Sequence, residues 1–296
     1  MPSTIICLGD VMTDVVARLR GPLVRGSDSP APVMLTAGGA AANTACWLAV
    51  SGSAAVVVGR IGWDLAGDAA LAALTRAGVT AHLSRDPLRP TGTCIVLVSP
   101  DGERTMVPDA GANAGLRPKD VPEELFTRTA HLHLSGYSLL NEGSREAALH
   151  AVELARRSGA TVSVDPASAG PLSAVGAQTF LEWVGGADAL LANADEALAL
   201  TGVSDPAKAA RILSTAFTEV IVKLGADGAL WAGRGSDTVV RVPAEPVEVV
   251  DTTGAGDAFA AGWLPVALAG GRPKRALKAG CAVAAQAVTR LGARPA

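Results

Sequence analysis

The second half of the chain alternates between short apolar segments and segments of helical length. Four apolar segments follow Pro122, and their sequences are HLHLSG, TVSVDP, DALLAN and EVIVKL. Between them, apolar residues recur at helical spacing. Strands that are separated by helices form a parallel sheet with helices on both faces. The pattern therefore predicts an α/β fold with a doubly wound, mostly parallel sheet.

Polar residues end these strands. In a doubly wound sheet, ligands bind at the carboxyl ends of the strands. The residues found there are Ser135, Asp165, Asn193 and Lys223. His131 and His133 share one strand face, but no third metal ligand lies nearby in the sequence. We therefore interpret the two histidines as core or edge residues rather than as a metal site.

Length and composition favour one domain that covers residues 1–296. A chain with 49% hydrophobic residues can build a full α/β core. Its apolar runs are interrupted before about 18 residues, and no signal peptide pattern precedes them, so we expect no membrane span. A net charge of −3 and an aromatic content of 3% argue against a nucleic-acid partner. The four cysteines lack metal-binding spacing, which favours buried thiols in a reducing, cytoplasmic compartment.

The turn GAGD joins an extended segment that ends at Val250 to a helical run. Gly254, Ala255 and Gly256 place backbone N–H groups at a helix start, where the helix dipole favours an anion. Asp257 lies in the same turn, although a carboxylate there would repel a bound phosphate. It fits a base that accepts the proton of a substrate hydroxyl during phosphoryl transfer. The alternative is a helix N-terminus that the aspartate caps.

Two motifs that lie far apart in the chain resemble those of one family. D-T-T-G-A-G-D-x-F-x-A-G, which starts at Asp251, and G-G-x-x-x-N, from Gly38 to Asn43, are similar to the motifs of ribokinase-like (PfkB) carbohydrate kinases. The resemblance spans nearly the whole chain. It implies a ribokinase-like fold with a small β-strand lid, ATP and Mg²⁺ as cofactors, and Asp257 as the catalytic base beside a glycine-rich anion hole.

The resemblance also implies which residues contact the sugar. Asp14 would bind sugar hydroxyls, because a carboxylate accepts two hydroxyl hydrogen bonds. Asn43 offers a donor and an acceptor, and Gly38 and Gly39 let the backbone approach the ligand. The alternatives are turn capping by Asp14 and by Asp10, and a tight turn before a packed helix for the glycines.

The lid is expected to comprise strands from residues 11–36 and 80–110. The dipeptide D-G at 101–102 predicts a hairpin turn in the second segment. In the family the lid closes over the sugar and often forms a dimer contact, so a homodimer through the lid is expected. Arg104 either points into the site or lies on an exposed edge strand. Asn113 is either a sugar ligand or a turn residue.

Two further motifs indicate the nucleotide site. N-A-D-E, from Asn193 to Glu196, resembles the family's N-x-x-E motif, whose two polar residues can organise hydrated magnesium. The local sequence alone favours a helix N-cap with acidic residues in the first turn. K-L-G-A-D-G resembles the nucleotide-binding loop, in which Lys223 neutralises phosphate charge and Gly225 and Gly228 permit a tight turn.

The C-terminal region supplies the last site candidates. The helical segment AGCAVAAQAVTR is rich in small residues, and the resemblance places the adenine against it, with Cys281 and Ala284 as contacts. Packing between helices explains the same small residues. Asp251 and Thr253, with carbonyls around Val288 to Gly292, match a region that binds a monovalent cation in many relatives, so a potassium site is expected there.

These features predict ATP-dependent phosphorylation of a hydroxymethyl group on a sugar or sugar-like molecule. Relatives that act on ribose carry polar residues where this chain has Met12, Ala40 and Ser135, including a lysine at the position of Ala40. With only Arg104 as an obvious cation for a phosphorylated sugar, we expect an unphosphorylated substrate such as fructose, a keto-deoxy sugar acid or a nucleoside. The alternatives are a nucleoside kinase on the same fold and a non-catalytic sugar or nucleotide sensor. A nicotinamide oxidoreductase is disfavoured, because no G-x-G-x-x-G follows the first strand.

Overall fold

The strands form two sheets in the computed structural model, which describes residues 4–100, 104–127 and 129–295. Nine strands form the large sheet in the order β13-β12-β11-β10-β9-β8-β1-β4-β5, and four form a small sheet in the order β3-β2-β6-β7. The strands are β1 (Thr4–Leu8), β2 (Met12–Arg18), β3 (Val33–Gly38), β4 (Ala55–Gly62), β5 (Thr80–Asp86), β6 (Gly92–Val98), β7 (Arg104–Asp109), β8 (Thr129–Ser135), β9 (Thr161–Asp165), β10 (Ala189–Asn193), β11 (Glu219–Lys223), β12 (Ala229–Gly233) and β13 (Val239–Val242).

Helices connect the strands of the large sheet and cover both of its faces. They are α1 (Ala40–Val50), α2 (Leu65–Arg76), α3 (Tyr137–Leu140), α4 (Glu142–Ser158), α5 (Ala169–Val175), α6 (Ala177–Trp183), α7 (Ala194–Thr201), α8 (Pro206–Leu213), α9 (Ala255–Leu268) and α10 (Pro273–Val288). Short 3-10 turns precede β8 and β12. The alternation of strands and helices after Pro122 is confirmed.

The large sheet is parallel from β5 to β11, and β12 and β13 add an antiparallel edge. Successive side chains of a strand point to opposite faces, so the apolar run in β1 serves two cores. Ile6 and Leu8 belong to the core shared with α4 to α8. Ile5 and Cys7 belong to the core shared with α1, α2, α9 and α10. The predicted doubly wound α/β fold is confirmed.

The small sheet corresponds to the predicted lid. Its strand β2 pairs with β3 and β6, and β6 pairs with β7. A small apolar core of Val16, Cys94 and Val96 lies on one face. One predicted boundary is wrong, because Thr80–Asp86 pairs in parallel with β4 and forms the edge of the large sheet. Its alternating sequence is typical of any half-buried strand, so it could not distinguish the two sheets. The D-G turn at 101–102 lies outside the described residues.

The histidine pair of β8 is part of the core, as predicted. Both rings bond to the Ser163 hydroxyl, at 2.7 Å for His131 and 2.8 Å for His133. Desolvation lowers the pKa of His131 to about 3 and that of His133 to about 4. Within the described residues, no cluster of three or more histidine, cysteine or acidic side chains could hold a metal ion. None of the helices described has both the length and the apolar character of a membrane span.

Candidate active site

The order of the strands changes direction at β1, which lies between β4 and β8. Such a switch point leaves a crevice at the carboxyl ends of the two central strands. Ser135 at the end of β8 donates a hydrogen bond to Asp10 Oδ1, which follows β1, at 2.9 Å. Asp10 Oδ2 accepts a hydrogen bond from the Ala40 N–H at 2.9 Å, so Asp10 caps α1. Asp10 therefore caps a helix and not its own turn, and a contact of Ser135 with the substrate stays a prediction.

The glycine-rich turn begins α9 beside this crevice. Gly254 has φ 73°, and a Cβ atom there would lie 2.6 Å from the Ala293 side chain, so glycine is required at this position. The Ala255 N–H donates a long hydrogen bond of 3.3 Å to the Thr252 carbonyl. Of the three predicted amide donors, Gly254 and Gly256 are therefore the better placed to bind an anion. Asp257 lies in the first turn of the helix. It does not cap the helix, because its carboxylate accepts from another element.

That element is α1, whose Asn43 Nδ2 donates to Asp257 Oδ2 at 2.9 Å. Desolvation raises the pKa of Asp257 to about 8; the Asn43 hydrogen bond opposes this shift, whereas the charges of Asp165 and Asp10 add to it. A carboxyl group with a pKa in this range exchanges protons near neutral pH. The resemblance predicts Asn43 as a sugar ligand. In the structure its amide nitrogen donates a hydrogen bond to Asp257.

Lys223 ends β11 and points toward the anion hole. A Cβ atom on Gly256 would lie 3.2 Å from Lys223 Nζ, so the ammonium group faces the start of α9. Lys223 Nζ also forms an ion pair with Asp165 Oδ2 at 2.6 Å. Desolvation lowers the pKa of Lys223, but the neighbouring carboxylates of Asp165 and Glu196 outweigh it and raise the pKa above its usual value. The lysine is therefore a fixed positive charge beside the glycine turn.

Asn193 and Glu196 form a reciprocal helix cap at the start of α7. Asn193 Oδ1 accepts from the Glu196 N–H at 2.8 Å, and Glu196 Oε2 accepts from the Asn193 N–H at 2.8 Å. Glu196 Oε1 accepts from Asn193 Nδ2 at 2.7 Å. The helix-cap alternative from the local sequence is therefore correct as a description of the geometry. Desolvation, followed by the charge of Asp165, raises the pKa of the buried Glu196 to about 7.

The lid places Asp14 over the crevice. Asp14 lies within β2, opposite Thr36, rather than in a turn, so the turn-capping alternative is wrong. Its carboxylate lies directly against Gly38, where a Cβ atom would overlap it. Desolvation raises the pKa of Asp14 to about 6, and the charge of Asp10 adds to the shift. Met12 pairs with Gly38 and with Gly92 and packs at the base of the lid.

The turn before α1 is tight, as the alternative for the glycine pair proposed. Gly39 has φ 95°, and a Cβ atom there would overlap the Asp10 carbonyl group.

Asn113 Oδ1 accepts from the Val11 N–H at 2.9 Å, and its Nδ2 donates to the Val11 and Ala110 carbonyls at 3.0 Å. Asn113 therefore joins the segment between β1 and β2 to the segment that follows β7, and its contact with a sugar stays a prediction.

Arg104 reaches from lid strand β7 to the loop before the glycine turn. Its Nη1 donates to Thr253 Oγ1 at 2.8 Å and to Asp251 Oδ1 at 3.2 Å. Asp251 Oδ1 also accepts from Thr253, and Asp251 Oδ2 accepts from the Gly292 N–H at 3.0 Å. Asp251 thus has a cationic partner and donors on both oxygens. These residues do not fit the predicted potassium site, because the charge that a cation would neutralise is already paired.

The remaining nucleotide candidates lie at the far edge of the sheet. Gly225 has φ 60° and Gly228 has φ 88°, and a Cβ atom on Gly228 would overlap the Val242 carbonyl, so both glycines are needed for the predicted turn. Cys281 is 6% exposed and packs in the core that α10 shares with α9, with Ala284 partly buried beside it. Helix packing describes both contacts, and their role toward adenine stays a prediction.

One polar residue at the crevice carried no sequence signal. Arg294 follows α10 and donates to Asn43 Oδ1 at 3.0 Å and to the Gly38 carbonyl at 2.6 Å. It belongs to no motif, and it lies 251 residues from Asn43 in the chain. A contact over such a distance leaves no local pattern that sequence analysis could find.

The crevice combines a carboxyl group able to accept a proton, a buried lysine, and a glycine turn at a helix N-terminus. A doubly wound fold with these three features and a lid over the crevice fits a small-molecule kinase. Comparison with known proteins gives the family. The model described as pfkB family carbohydrate kinase matches residues 3–296. The chain therefore belongs to the PfkB family of carbohydrate kinases, and it is an ATP-dependent carbohydrate kinase.

Individual relatives are similar over nearly their full lengths. The fructokinase of Klebsiella pneumoniae is 32% identical over 281 residues, which cover 92% of this chain and 87% of that protein. An ATP-dependent ribose-1-phosphate kinase of Halopiger xanaduensis is 32% identical over 297 residues, which cover 99% and 94%.

Solved structures are similar over the same extent. The adenosine kinase of Sinorhizobium meliloti has a TM-score of 0.90 at 26% identity and covers 99% of this chain and 96% of that chain. A putative ribokinase II of E. coli in complex with ATP and Mg²⁺ has a TM-score of 0.86 at 26% identity, with 99% and 94% covered.

Proposed function

We propose that this kinase transfers the γ-phosphoryl group of ATP to a primary hydroxyl group, with Asp257 as the general base. The position of Asp257 carries the proposal, because it lies in the first turn of α9, next to Gly256, which faces Lys223 Nζ. Asp257 accepts the hydroxyl proton as the oxygen attacks. The negative charge of the transferred group is stabilised by Lys223 and by the backbone amides of Gly254 and Gly256. The Ala255 amide contributes once it releases its hydrogen bond to the Thr252 carbonyl.

Asn193 and Glu196 have the chemistry of a magnesium site. Magnesium in kinases is held by one or two carboxylates together with phosphate oxygens and water. The raised pKa of Glu196, about 7, shows that desolvation and Asp165 disfavour its negative charge in the protein alone. A nearby divalent cation would reverse that effect. When bound, the ion supplies charge neutralisation at the phosphates, and we propose that Glu196 and Asn193 hold its hydration shell.

The variant Glu196→Gln is expected to raise the magnesium concentration for half-maximal rate by about 10- to 100-fold, as for other residues that orient a metal's ligands. Glutamine can keep the helix cap, so the variant should fold. A titration of magnesium at fixed ATP measures the change, with Glu153→Gln on the exposed face of α4 as the control. An unchanged titration would remove Glu196 from the metal site.

We propose an unphosphorylated, polyhydroxylated substrate bound by Asp14. Asp10 and Asp14 bring two carboxylates to the sugar side, and like charges there disfavour a phosphorylated sugar. Arg104, the one obvious cation for such a phosphate in the sequence, is paired with Asp251 and Thr253. Met12 and Ala40 supply no donor that would select ribose. One relative is named a ribose-1-phosphate kinase, and our ranking against such a substrate is based on Ala40 and on the pairing of Arg104.

The substrate is tested by a kinase assay with ATP and magnesium over pentoses, hexoses, sugar acids, nucleosides and sugar phosphates. We expect fructose, a keto-deoxy sugar acid or a nucleoside to give the highest kcat/KM. The similarity to adenosine kinase makes a nucleoside the second candidate, and the same panel distinguishes it. A preference of more than about tenfold for ribose or a sugar phosphate, roughly 1.4 kcal/mol, would contradict the ranking. Binding of sugar without turnover of any acceptor would favour a sensor.

We further propose that the chain forms a homodimer through the outer face of the lid. Leu35, Val15, Ile95 and Val107 form one row across the four strands. Leu35 is 72% exposed, Ile95 45% and Val107 54%, so the row is an apolar surface.

The four cysteines are free and buried, which suits the reducing cytoplasm as the compartment of the protein.

The variant Leu35→Glu is expected to convert the dimer into a monomer, because burying an unpaired carboxylate in an apolar contact is costly. Light scattering after size-exclusion chromatography measures the mass. The control is Val50→Glu, which changes a valine that is 60% exposed at the end of α1. A monomeric wild-type protein, or a dimer that survives Leu35→Glu unchanged, would refute the lid interface.

A further inference from the structure

Arg294 is held inside the site by two of its three guanidinium nitrogens. Nε donates to Asn43 Oδ1 at 3.0 Å, and Nη2 donates to the Gly38 carbonyl at 2.6 Å. Nη1 is buried without a hydrogen-bond partner among the residues described. Burying a guanidinium group that lacks a full set of partners is costly, so its retention beside the base calls for a reason other than stability.

The hydrogen bonds set the direction of the Asn43 amide. An arginine can only donate, so the oxygen of the Asn43 amide must face Arg294. The amide nitrogen of Asn43 then faces Asp257 Oδ2, to which it donates at 2.9 Å. An amide donor stabilises a carboxylate and destabilises a protonated carboxyl group in the same place. With the amide rotated by half a turn, its oxygen would instead accept a hydrogen bond from a protonated, neutral Asp257.

We propose that Arg294 is a positioning residue, which fixes the Asn43 amide so that its N–H group faces Asp257 and favours the proton-accepting form of that carboxyl group. Arg294 bonds to Asn43, and Asn43 bonds to Asp257. The positive charge of Arg294 also favours the ionised form of Asp257, as the Asn43 hydrogen bond does. This inference rests on the proposed function only where it concerns turnover.

Other charged and titratable groups around Asp257 act in both directions. Asp165 and Asp10 disfavour its ionised form, and Lys223 favours it. The titratable groups whose own pKa values respond to Asp257 are Cys7 of β1, Tyr137 of α3, Lys223 of β11 and Arg294. Two carboxylates and a desolvated position thus oppose ionisation. Asn43, Lys223 and Arg294 are the groups that counter them.

The test is a titration of the Asp257 carboxyl carbon by ¹³C NMR, in which the Asp257 signal is the one missing from Asp257→Asn. The variant Arg294→Met is expected to raise the pKa of Asp257 by about one unit, because a cation and a fixed donor are lost together. Arg294→Gln, which is neutral but keeps an amide donor, is expected to raise it by less. The control Arg290→Met removes an equal charge that lies over the Trp47 ring in the same segment.

Kinase assays at two pH values separate positioning from a structural role. Arg294→Met is expected to lose activity at pH 7 and to recover toward the wild-type rate at pH 9, whereas a structural defect would lower both rates alike. An Asp257 pKa that is the same in wild type and in folded Arg294→Met would overturn the proposal. If Arg294→Met does not fold, an unchanged pKa in Arg294→Gln would overturn it. If the wild-type protein phosphorylates no acceptor, the proposed function fails, but the NMR titration still decides the role of Arg294.

Discussion

The variant Asp257→Asn is expected to lower kcat by roughly two to four orders of magnitude, the range that a positioned general base contributes. Asparagine keeps the shape of aspartate and can still accept the hydrogen bond from Asn43 Nδ2, which is 2.9 Å from Asp257 Oδ2 in the wild-type protein. Only the ability to take the hydroxyl proton is lost. The loss should therefore appear in kcat, with ATP binding retained.

Initial rates over a range of acceptor concentrations measure this effect, and thermal shift with ATP checks that the nucleotide still binds. The control Asp237→Asn removes an exposed carboxylate in the turn between β12 and β13 and should leave the rate unchanged. Near-normal turnover by Asp257→Asn would remove Asp257 from the role of base.

The second large effect is expected from Lys223→Met, with a loss of about 10²- to 10³-fold in kcat/KM for ATP, the cost of removing one preorganised charge donor. Lys223 Nζ lies 3.2 Å from the position of a Cβ atom on Gly256, so its positive charge faces the anion hole. Methionine has a similar length and no charge. The steady-state rate at varied ATP measures the loss, and a normal kcat/KM would contradict the role.

A stability effect must be separated from this loss, because Lys223→Met leaves Asp165 without the partner that lies 2.6 Å away. Breaking a buried ion pair costs about 3–5 kcal/mol. The double variant Lys223→Met with Asp165→Asn removes both charges, and it should regain melting temperature without regaining activity. Recovery of activity together with stability would mean that Lys223 serves the fold and not the reaction.

Patterns that are local in the chain predicted the fold and part of the site. The spacing of strands and helices after Pro122 predicts a parallel sheet, and the strand-end rule then indicates Ser135, Asp165, Asn193 and Lys223. In the structure all four lie at strand ends, and Asp165 pairs with Lys223. The glycine turn predicted the start of α9, because a residue at φ 73° with no room for a side chain has to be glycine. Each of these inferences uses residues that are close together in the sequence.

What the sequence could not decide concerns contacts between distant segments and residues with two possible uses. We assign Thr80–Asp86 to the lid from its sequence, because alternating polar and apolar residues predict a strand but do not indicate which strand pairs with it. Asn193 and Glu196 fit both a helix cap and a metal site, since the same carboxylate and amide groups serve both. The pairing of Arg104 with Asp251 spans 147 residues, so no local pattern could show that a cationic side chain already contacts the implied potassium site. Only the folded chain shows which partner each side chain has.

The central claim, that Asp257 accepts the substrate proton, is tested most directly by the pH dependence of kcat/KM, which reports the essential base of the free enzyme. The folded protein raises the pKa of Asp257 to about 8. A base is active when deprotonated, so the account predicts that kcat/KM rises with pH through a step near that value and falls about tenfold per unit below it. The residual activity of Asp257→Asn should lack this step. A wild-type profile that is flat from pH 6 to 9, or the same step in Asp257→Asn, would contradict the account.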